Sequence, residues 1–217
     1  RRLFTAAGDA YFSTLYHNCS HACDVLHAAY YLVSQADGHK DIPDIELLGY
    51  VIAAAFHDVG HPGVNASFLH RSGHSITSAF TESQQSACLE EYHTLVCFTF
   101  LSAEGLDLIS HLPEDQQQTV RSVVRSLILE TYMGSHKSLV DRVSALQSAA
   151  DMSHPEHRIL FLTSCLHLAD LSNVCKPWEL HVKWSHAVLS EFFSQGELER
   201  TKGMEVSPHC VSDVALG

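Results

Sequence analysis

Hydrophobic residues recur every three to four positions along most of the chain, as they do in helices with one buried face. The alternation typical of strands is nearly absent, so the pattern predicts an all-α fold. The predicted helices span residues 9–16, 21–35, 43–58, 84–102, 116–132, 136–149, 156–169 and 177–195. Two stretches lack the pattern. Residues 60–83 are predicted to form a long loop with one short helix, and residues 196–217 to be irregular.

The stretch from Ile45 to Phe56 is apolar on most sides, which predicts a helix at the centre of the molecule. It is followed by Gly60-His61-Pro62-Gly63, and glycine and proline end helices. His57 and Asp58 therefore fall at the end of a buried helix.

Composition fits one domain with a real core, because 46% of the 217 residues are hydrophobic and 18% are charged. No apolar run reaches the roughly 18 residues that a membrane span needs. Acidic residues outnumber Lys and Arg by 25 to 13, which argues against a nucleic-acid polymer as partner. Seven cysteines without a CxxC pair predict reduced thiols and an intracellular, cytoplasmic protein, although a longer parent could carry a membrane anchor elsewhere.

The 17 histidines raise the possibility of a metal site, and carboxylates accompany several of them. His21 lies four positions after His17, and Asp170 ends an apolar run. A buried carboxylate beside apolar runs is costly unless it is paired, and a cation would offset that cost. The order His…His-Asp…Asp is typical of HD-type metal hydrolases. On the residues alone, the alternative is an unrelated helical bundle with helix caps and satisfied core histidines.

Several longer motifs make the pattern specific. The sequence YHNCSHACDV at 16–25 resembles the YHNxxHAxDV motif of class I 3′,5′-cyclic-nucleotide phosphodiesterases, and HDVGHPG at 57–63 resembles their HDxxHPG motif. LEEYH at 89–93, LET at 129–131 and ADLSN at 169–173 also resemble family segments, and the resemblance continues to Cys210. It implies a compact multi-helix HD-domain fold that is incomplete at both ends, with residues 1–217 forming a single partial catalytic domain.

The resemblance also implies roles for individual residues. The family's protein ligands to a tightly held zinc match His21, His57, Asp58 and Asp170. A second ion, magnesium or possibly manganese in its place, would share Asp58. Groups that orient the waters around the ions match His61, Glu90, His93 and Thr131. The general acid matches His17. The nucleotide-binding wall matches Tyr16, Asn173, His181, Trp184 and Val188.

Plainer readings remain for some of these residues. Glu90 and His93 are three positions apart and could form an ordinary ion pair on a helix. Thr131 could be an ordinary helix residue. The face formed by residues 181, 184 and 188 could be a core stripe. The ten histidines outside the motifs are expected at the surface, and His167 is expected to be structural.

The expected reaction is hydrolysis of a cyclic nucleotide to the 5′-monophosphate, by a hydroxide that bridges the two ions, with His17 protonating the leaving oxygen. Residues 176–208 look most like the cAMP-specific members, which weakly favours cAMP over cGMP. Oligomeric state is not predicted. Two alternatives stay open: another HD-type nucleotide phosphohydrolase, and a catalytically weakened relative that binds a nucleotide or a partner.

Three positions depart from the family pattern. Glu91 and Tyr92 stand where the family usually has Asn-His, and Tyr132 stands where Asp is common. These changes are expected to weaken the second ion or alter the water geometry. The family's purine-binding glutamine and stacking phenylalanine are expected beyond Gly217, so the nucleotide preference is not set by these residues.

Overall fold

The computed structural model describes residues 1–146 and 151–211, and all regular secondary structure in this part is helical. The all-α prediction is confirmed. The α-helices are α1 (Arg2–Asp9), α2 (Cys19–Gln35), α3 (Asp44–Phe56), α4 (Ala66–Arg71), α5 (Ser75–Ser78), α6 (Cys88–Leu101), α7 (Glu114–Leu129), α8 (His136–Ala145), α9 (Pro155–Asp170) and α10 (Trp178–Thr201). Short 3₁₀ turns span Asp37–Asp41, Glu82–Ala87, Met133–Ser135 and Ser172–Cys175.

The first predicted helix, 9–16, is wrong. The chain is helical earlier, over Arg2–Asp9, where Leu3 and Ala7 are buried in the core. Asn18 then takes an extended conformation and caps α2 with its side chain, which keeps the preceding residues out of that helix.

Other helix boundaries differ by smaller amounts. The loop 60–83 contains two short helices rather than one, and residues 82–87 of the next segment form a 3₁₀ turn that Thr81 and Gln84 cap. Helix α10 continues to Thr201, past the predicted end at 195. Residues 147–149 and 212–217, to which predictions also applied, lie outside the described residues.

Helix α3 is the centre of the fold, as the sequence predicted, and it packs on α2 and α7. Phe56 and Ile52 are completely buried. Gly49 lets α7 approach closely, because a Cβ there would lie 2.8 Å from Cβ of Val123. The Tyr50 hydroxyl donates to the Ala29 carbonyl across the α2–α3 contact, at 3.0 Å. Each large apolar side chain buried in this way contributes about 1.5–3 kcal/mol to stability.

A buried ion pair joins the two helices whose ends carry candidate ligands. Arg158 near the start of α9 donates to both carboxylate oxygens of Glu46 on α3, at 2.8 and 2.7 Å. A two-point contact of this kind fixes the relative position of the helices. It therefore helps to set where Asp170, the last residue of α9, meets the end of α3.

Among the described residues, no helix is both long enough and apolar enough to cross a membrane.

Candidate metal centre and active site

The four predicted metal ligands come together from three helices. His21 lies in the first turns of α2, His57 and Asp58 directly follow α3, and Asp170 ends α9. One ligand atom from each lies within 4.8 Å of all the others. This constellation is what a single ion needs.

The closest contacts run between imidazole nitrogens and carboxylate oxygens. His21 Nε2 lies 3.0 Å from Asp170 Oδ1 and 3.4 Å from Asp58 Oδ2. His57 Nε2 lies 3.1 Å from Asp58 Oδ2, and its Nδ1 donates to the Ala54 carbonyl at 3.0 Å. That backbone contact commits the Nδ1 proton and turns the Nε2 lone pair toward the cluster.

The buried acids and histidines of the cluster shift one another's pKa values. Burial alone would lower the pKa of His57, but Asp58 and Asp170 outweigh it and raise that pKa well above its usual value. Burial would raise the pKa of each aspartate, yet the histidines hold both well below their usual range. A divalent cation would compete with protons for these groups, since ligands bind metal in their deprotonated forms.

Two buried polar atoms beside the cluster have no hydrogen-bond partner among the described residues. They are Glu90 Oε2 and His93 Nε2. His93 donates from Nδ1 to the Val59 carbonyl at 2.8 Å, which leaves Nε2 as an acceptor 3.8 Å from Asp58 Oδ1. Burial raises the pKa of Glu90 to about 7 and lowers that of His93 to about 4. Such orphaned acceptors fit a site that holds ions and ordered water.

The other two residues predicted around the ions also lie in this region. Thr131 lines the cavity in front of the cluster and donates its hydroxyl to the Ile128 carbonyl at 2.7 Å. His61 is buried, and its Nδ1 accepts from the Gly63 N–H at 3.0 Å. Burial and the nearby His17 hold the pKa of His61 well below its usual value, so the ring is neutral.

His17 lies just before α2 and so does not share a helix with His21, although the two are four positions apart. It precedes the cap residue Asn18, and its ring stacks on His61 with centroids 3.9 Å apart. It still reaches the cavity, with 22% of its side chain exposed.

Glu191 on α10 holds His17, and the sequence analysis assigned it no role. One carboxylate oxygen accepts from the N–H groups of Tyr16 and His17, and the other contacts His17 Nδ1. Burial raises the pKa of Glu191, but the interactions with His17 outweigh it and keep the pKa below its usual value. Its partner lies 174 residues away in the chain, so no local sequence pattern indicates this contact.

The ligand atoms of His17, His61 and Glu191 also lie within 4.8 Å of one another, which invites a second metal assignment. The ring geometry argues against it. Stacked imidazoles have roughly parallel planes, here 20° apart, and their in-plane lone pairs do not converge on one ion. Nδ1 of His61 and Nδ1 of His17 are already engaged. This group is better suited to positioning a proton donor.

A cavity of about 740 Å³ lies in front of both clusters. Of the predicted nucleotide-binding residues, Tyr16, Asn173 and Val188 line it, whereas His181 and Trp184 are not among its lining residues. His181 and Trp184 lie behind the residues that line the cavity. His181 Nδ1 donates to the Asn173 carbonyl at 3.1 Å, and Trp184 packs edge-on against Tyr16 with centroids 5.7 Å apart.

Two of the three departures from the family pattern face away from the cavity. Glu91 is buried and accepts from Arg125 on α7 at 2.8 Å and from Gln84 at 3.1 Å. Tyr92 packs on Gly60, whose φ of 72° and tight contact with the phenol both favour glycine. Tyr132, in contrast, lines the cavity.

Seven of the ten histidines outside the motifs are exposed as predicted, whereas His39, His70 and His157 are half-buried. His70 lines the cavity and its Nε2 donates to the Gln85 carbonyl at 3.1 Å. His167 is buried behind Asp170 and contacts His136, Nε2 to Nδ1, at 2.9 Å.

An all-α fold whose helix ends gather two histidines and two aspartates, including an adjacent His-Asp pair, defines the HD-type class. The model of the 3′,5′-cyclic nucleotide phosphodiesterase family matches residues 16–215. The chain belongs to this family.

Individual relatives agree with this assignment. The chain is 33% identical, over 97% of its length, to 3′,5′-cyclic-AMP phosphodiesterase 4C of Rattus norvegicus, and 31% identical over 92% to a probable 3′,5′-cyclic-AMP phosphodiesterase of Caenorhabditis elegans. It spans 40% of the first relative's length and 30% of the second's. The solved phosphodiesterase domain of a rhodopsin phosphodiesterase from Salpingoeca rosetta superposes with a TM-score of 0.91. The two are 28% identical, and the match covers 98% of this chain and 65% of that one.

Proposed function

We propose that the chain carries out metal-dependent hydrolysis of 3′,5′-cyclic nucleotides to 5′-nucleoside monophosphates. The observation that carries the proposal is that the four-residue ligand cluster and the His17–Glu191 pair open onto one cavity. A cyclic phosphodiester needs charge neutralisation on one side of phosphorus and a proton for the departing oxygen on the other. The two clusters meet these two needs separately.

We infer that zinc is held by His21, His57, Asp58 and Asp170, because mixed imidazole and carboxylate ligation suits that ion. A second, harder ion, magnesium or manganese, would share Asp58 and keep several waters. Glu90, His93 and Thr131 are suited to orient those waters, since two of them offer unpaired acceptors. When bound, such ions neutralise phosphate charge and lower the pKa of a water.

His17 is proposed to protonate the 3′-oxygen as it leaves. A general acid of this kind typically contributes about 10²–10⁴-fold to the rate. Glu191 orients the ring by placing a carboxylate at Nδ1, which leaves Nε2 as the nitrogen available to the substrate. The neutral His61, stacked on the other face, restricts the ring without competing for the proton.

The nucleotide is proposed to lie against Tyr16, Asn173 and Val188, with His181 and Trp184 supporting Asn173 and Tyr16 from behind. We favour cAMP over cGMP as substrate because the names of the curated relatives specify cyclic AMP. The seven cysteines are unpaired thiols, which favours an intracellular and cytoplasmic setting. Residues 1–217 are proposed to act as one domain.

The test combines metal analysis with turnover. Zinc content of the purified protein is measured, and hydrolysis of cAMP, cGMP and linear nucleotides is assayed with added magnesium or manganese. We expect His17→Ala to lower kcat by about 10²–10⁴-fold while zinc is retained. His27→Ala, at an exposed position on α2, is the matched control and should change neither.

Three outcomes would count against the proposal. Full activity of His17→Ala would remove the general-acid assignment. Zinc binding without any turnover would favour a nucleotide-binding relative. Turnover of linear nucleotides alone would favour another HD-type phosphohydrolase. Glu91 and Tyr92 give little support to a weakened enzyme, since neither lines the cavity.

A further inference from the structure

Two cysteines lie at the start of the helix that carries His21. Cys19 is the first residue of α2 and Cys23 follows four positions later, so both thiols lie on one face of the helix. Cys19 is half-buried and its Sγ lies 3.2 Å from the position that a Cβ would take at Gly8. Cys23 is exposed. The pair thus combines one accessible thiol with a sheltered one a single helical turn away.

Four of the other five thiols are buried and therefore poorly placed to react with an oxidant. Cys88, Cys97, Cys165 and Cys210 are buried, and burial raises the pKa of Cys97 and of Cys165 to about 12. Thiols buried in this way are out of reach of an oxidant, and accessibility is what sets Cys23 apart from them. Cys175 is the other exposed cysteine, and it lies in the 3₁₀ turn that follows α9.

The turn between the two cysteines positions a metal ligand. The Asn18 side chain caps this turn by accepting from the N–H groups of Ser20, at 2.9 Å, and of His21, at 3.4 Å. His21 in turn meets Asp170 across the cluster. Any change in the backbone of residues 19–23 must therefore move His21.

We propose that Cys19 and Cys23 form a reversible disulfide that makes the metal site sensitive to oxidation. The oxidant class is a hydroperoxide. The Cys23 sulfur attacks a peroxide oxygen and its proton goes to the departing oxygen, so the O–O bond breaks, Cys23 becomes a sulfenic acid and water or an alcohol is released. The Cys19 thiol then displaces the sulfenic oxygen as water, and the S–S bond forms. Two thiols lose two electrons in total, and the peroxide takes them up.

The disulfide is not compatible with the intact helical turn. Residues four apart on a helix have Cβ atoms about 5–6 Å apart, whereas a disulfide needs about 3.5–4.5 Å. Closing the bond therefore pulls the first turn of α2 out of helical geometry and breaks the Asn18 cap. Metal coordination tolerates deviations of only about 0.2 Å, so displacement of His21 weakens the site. Reduction restores the turn.

The regulatory meaning of this switch rests on the proposed hydrolase function, but its test does not. Zinc-loaded protein is treated with hydrogen peroxide and then with dithiothreitol. The linked peptide is identified by mass spectrometry, and zinc affinity is measured by competition with a chromophoric chelator. We expect a Cys19–Cys23 linked peptide and a loss of zinc affinity of about tenfold or more, both reversed by reduction.

Variants separate this mechanism from general oxidation. Cys23→Ser and Cys19→Ser should keep their zinc affinity under peroxide, whereas Cys175→Ser, the control at the other exposed thiol, should behave like the wild type. The absence of the linked peptide, or a linked peptide with unchanged zinc affinity, would overturn the proposal. Both readings are made without substrate, so a reduced protein that fails to hydrolyse cyclic nucleotides would count against the proposed function alone.

Discussion

Glu191 on α10 fixes His17 through both of its carboxylate oxygens. Oε2 accepts from the N–H groups of Tyr16 and His17, at 2.8 and 3.2 Å, and Oε1 contacts His17 Nδ1. Backbone and ring are therefore held by a single buried group. The contact at Nδ1 orients the other ring nitrogen of His17, Nε2, without involving the metal cluster. A mutation at Glu191 can therefore change proton donation without changing metal binding.

The first prediction concerns this pair. Glu191→Gln keeps the shape of the side chain but replaces the carboxylate that holds His17 Nδ1 with a neutral amide. We expect kcat to fall by on the order of 10²-fold, the lower part of the range for a general acid, with KM and zinc content nearly unchanged. Steady-state kinetics and metal analysis measure these quantities.

Glu197→Gln is the matched control, because Glu197 lies on the same helix, is exposed and pairs with Arg200. It should leave kcat unchanged. A Glu191→Gln enzyme with wild-type kcat would show that His17 is held well enough by its backbone and by His61. A rise in KM without a change in kcat would instead assign Glu191 to substrate binding.

The second prediction concerns zinc as a stabilising ligand. Zinc present at 100 times its dissociation constant stabilises the folded protein by about 2.7 kcal/mol. Asp170→Asn removes one of two carboxylates, and if the dissociation constant rises 100-fold, the same zinc concentration gives only about 0.4 kcal/mol. Thermal or chemical denaturation with and without zinc measures the difference.

Asp141→Asn serves as the control, since Asp141 is exposed and pairs with Lys137 on the surface. Its response to zinc should equal that of the wild type. An Asp170→Asn protein that zinc stabilises as strongly as the wild type would remove Asp170 from the ligand set.

Hydrophobic periodicity predicted most of the helices, and the family resemblance named the four residues that the structure brings together as a cluster. Hydrophobic periodicity locates α3, and the His57-Asp58 doublet directly follows it. The role of Glu191 could not be predicted in this way, since it depends on how α10 packs against the segment before α2. Helix α1 was also misplaced, because the extended conformation at Asn18 is set by capping and not by hydrophobic spacing.

The departures from the family pattern show the same limit. Residue identity at Glu91 and Tyr92 suggested an altered water network near the ions. In the structure Glu91 points toward α7 and Tyr92 packs on Gly60. The rotation of α6 about its axis therefore determines which of its residues face the cavity. Glu90 and His93 are the ones that do.

The third prediction tests this view of Glu91. Glu91→Asn introduces the residue usual in the family and removes the carboxylate that pairs with Arg125. Because Arg125 is half-exposed, we expect a modest loss of about 1 kcal/mol in the free energy of unfolding. Catalytic constants should stay unchanged, as the side chain does not line the cavity.

Urea denaturation and steady-state kinetics on the same preparation measure both effects. Glu104→Gln, at an exposed position in the loop after α6, should change neither quantity. A change in kcat with unchanged stability would show that Glu91 acts on the site after all.

The fourth prediction concerns pH and the buried Glu90 in the metal-free protein. Its pKa is raised from 4.5 to about 7, chiefly by burial. Below pH 4.5, the pKa of Glu90 in the unfolded chain, the carboxyl group is protonated in both the folded and the unfolded state. Burying it then adds no ionisation cost to folding. As pH rises from about 4.5 to 7, the unfolded state ionises first, so stability falls by about 1.36 kcal/mol per pH unit. The total loss is about 3 kcal/mol, and it levels off above pH 7.

Glu90→Gln cannot ionise, so it should remove this decline. Relative to wild type, the metal-free variant should gain stability between about pH 5 and pH 8, as measured by chemical denaturation at several pH values. Comparing the two proteins cancels the titration of other groups, and Glu104→Gln, at an exposed position, controls for the loss of one charge. Parallel pH profiles for wild type and Glu90→Gln would mean that Glu90 reaches water when no ion is bound. Zinc and magnesium should shrink the difference, because nearby cations favour the ionised carboxylate.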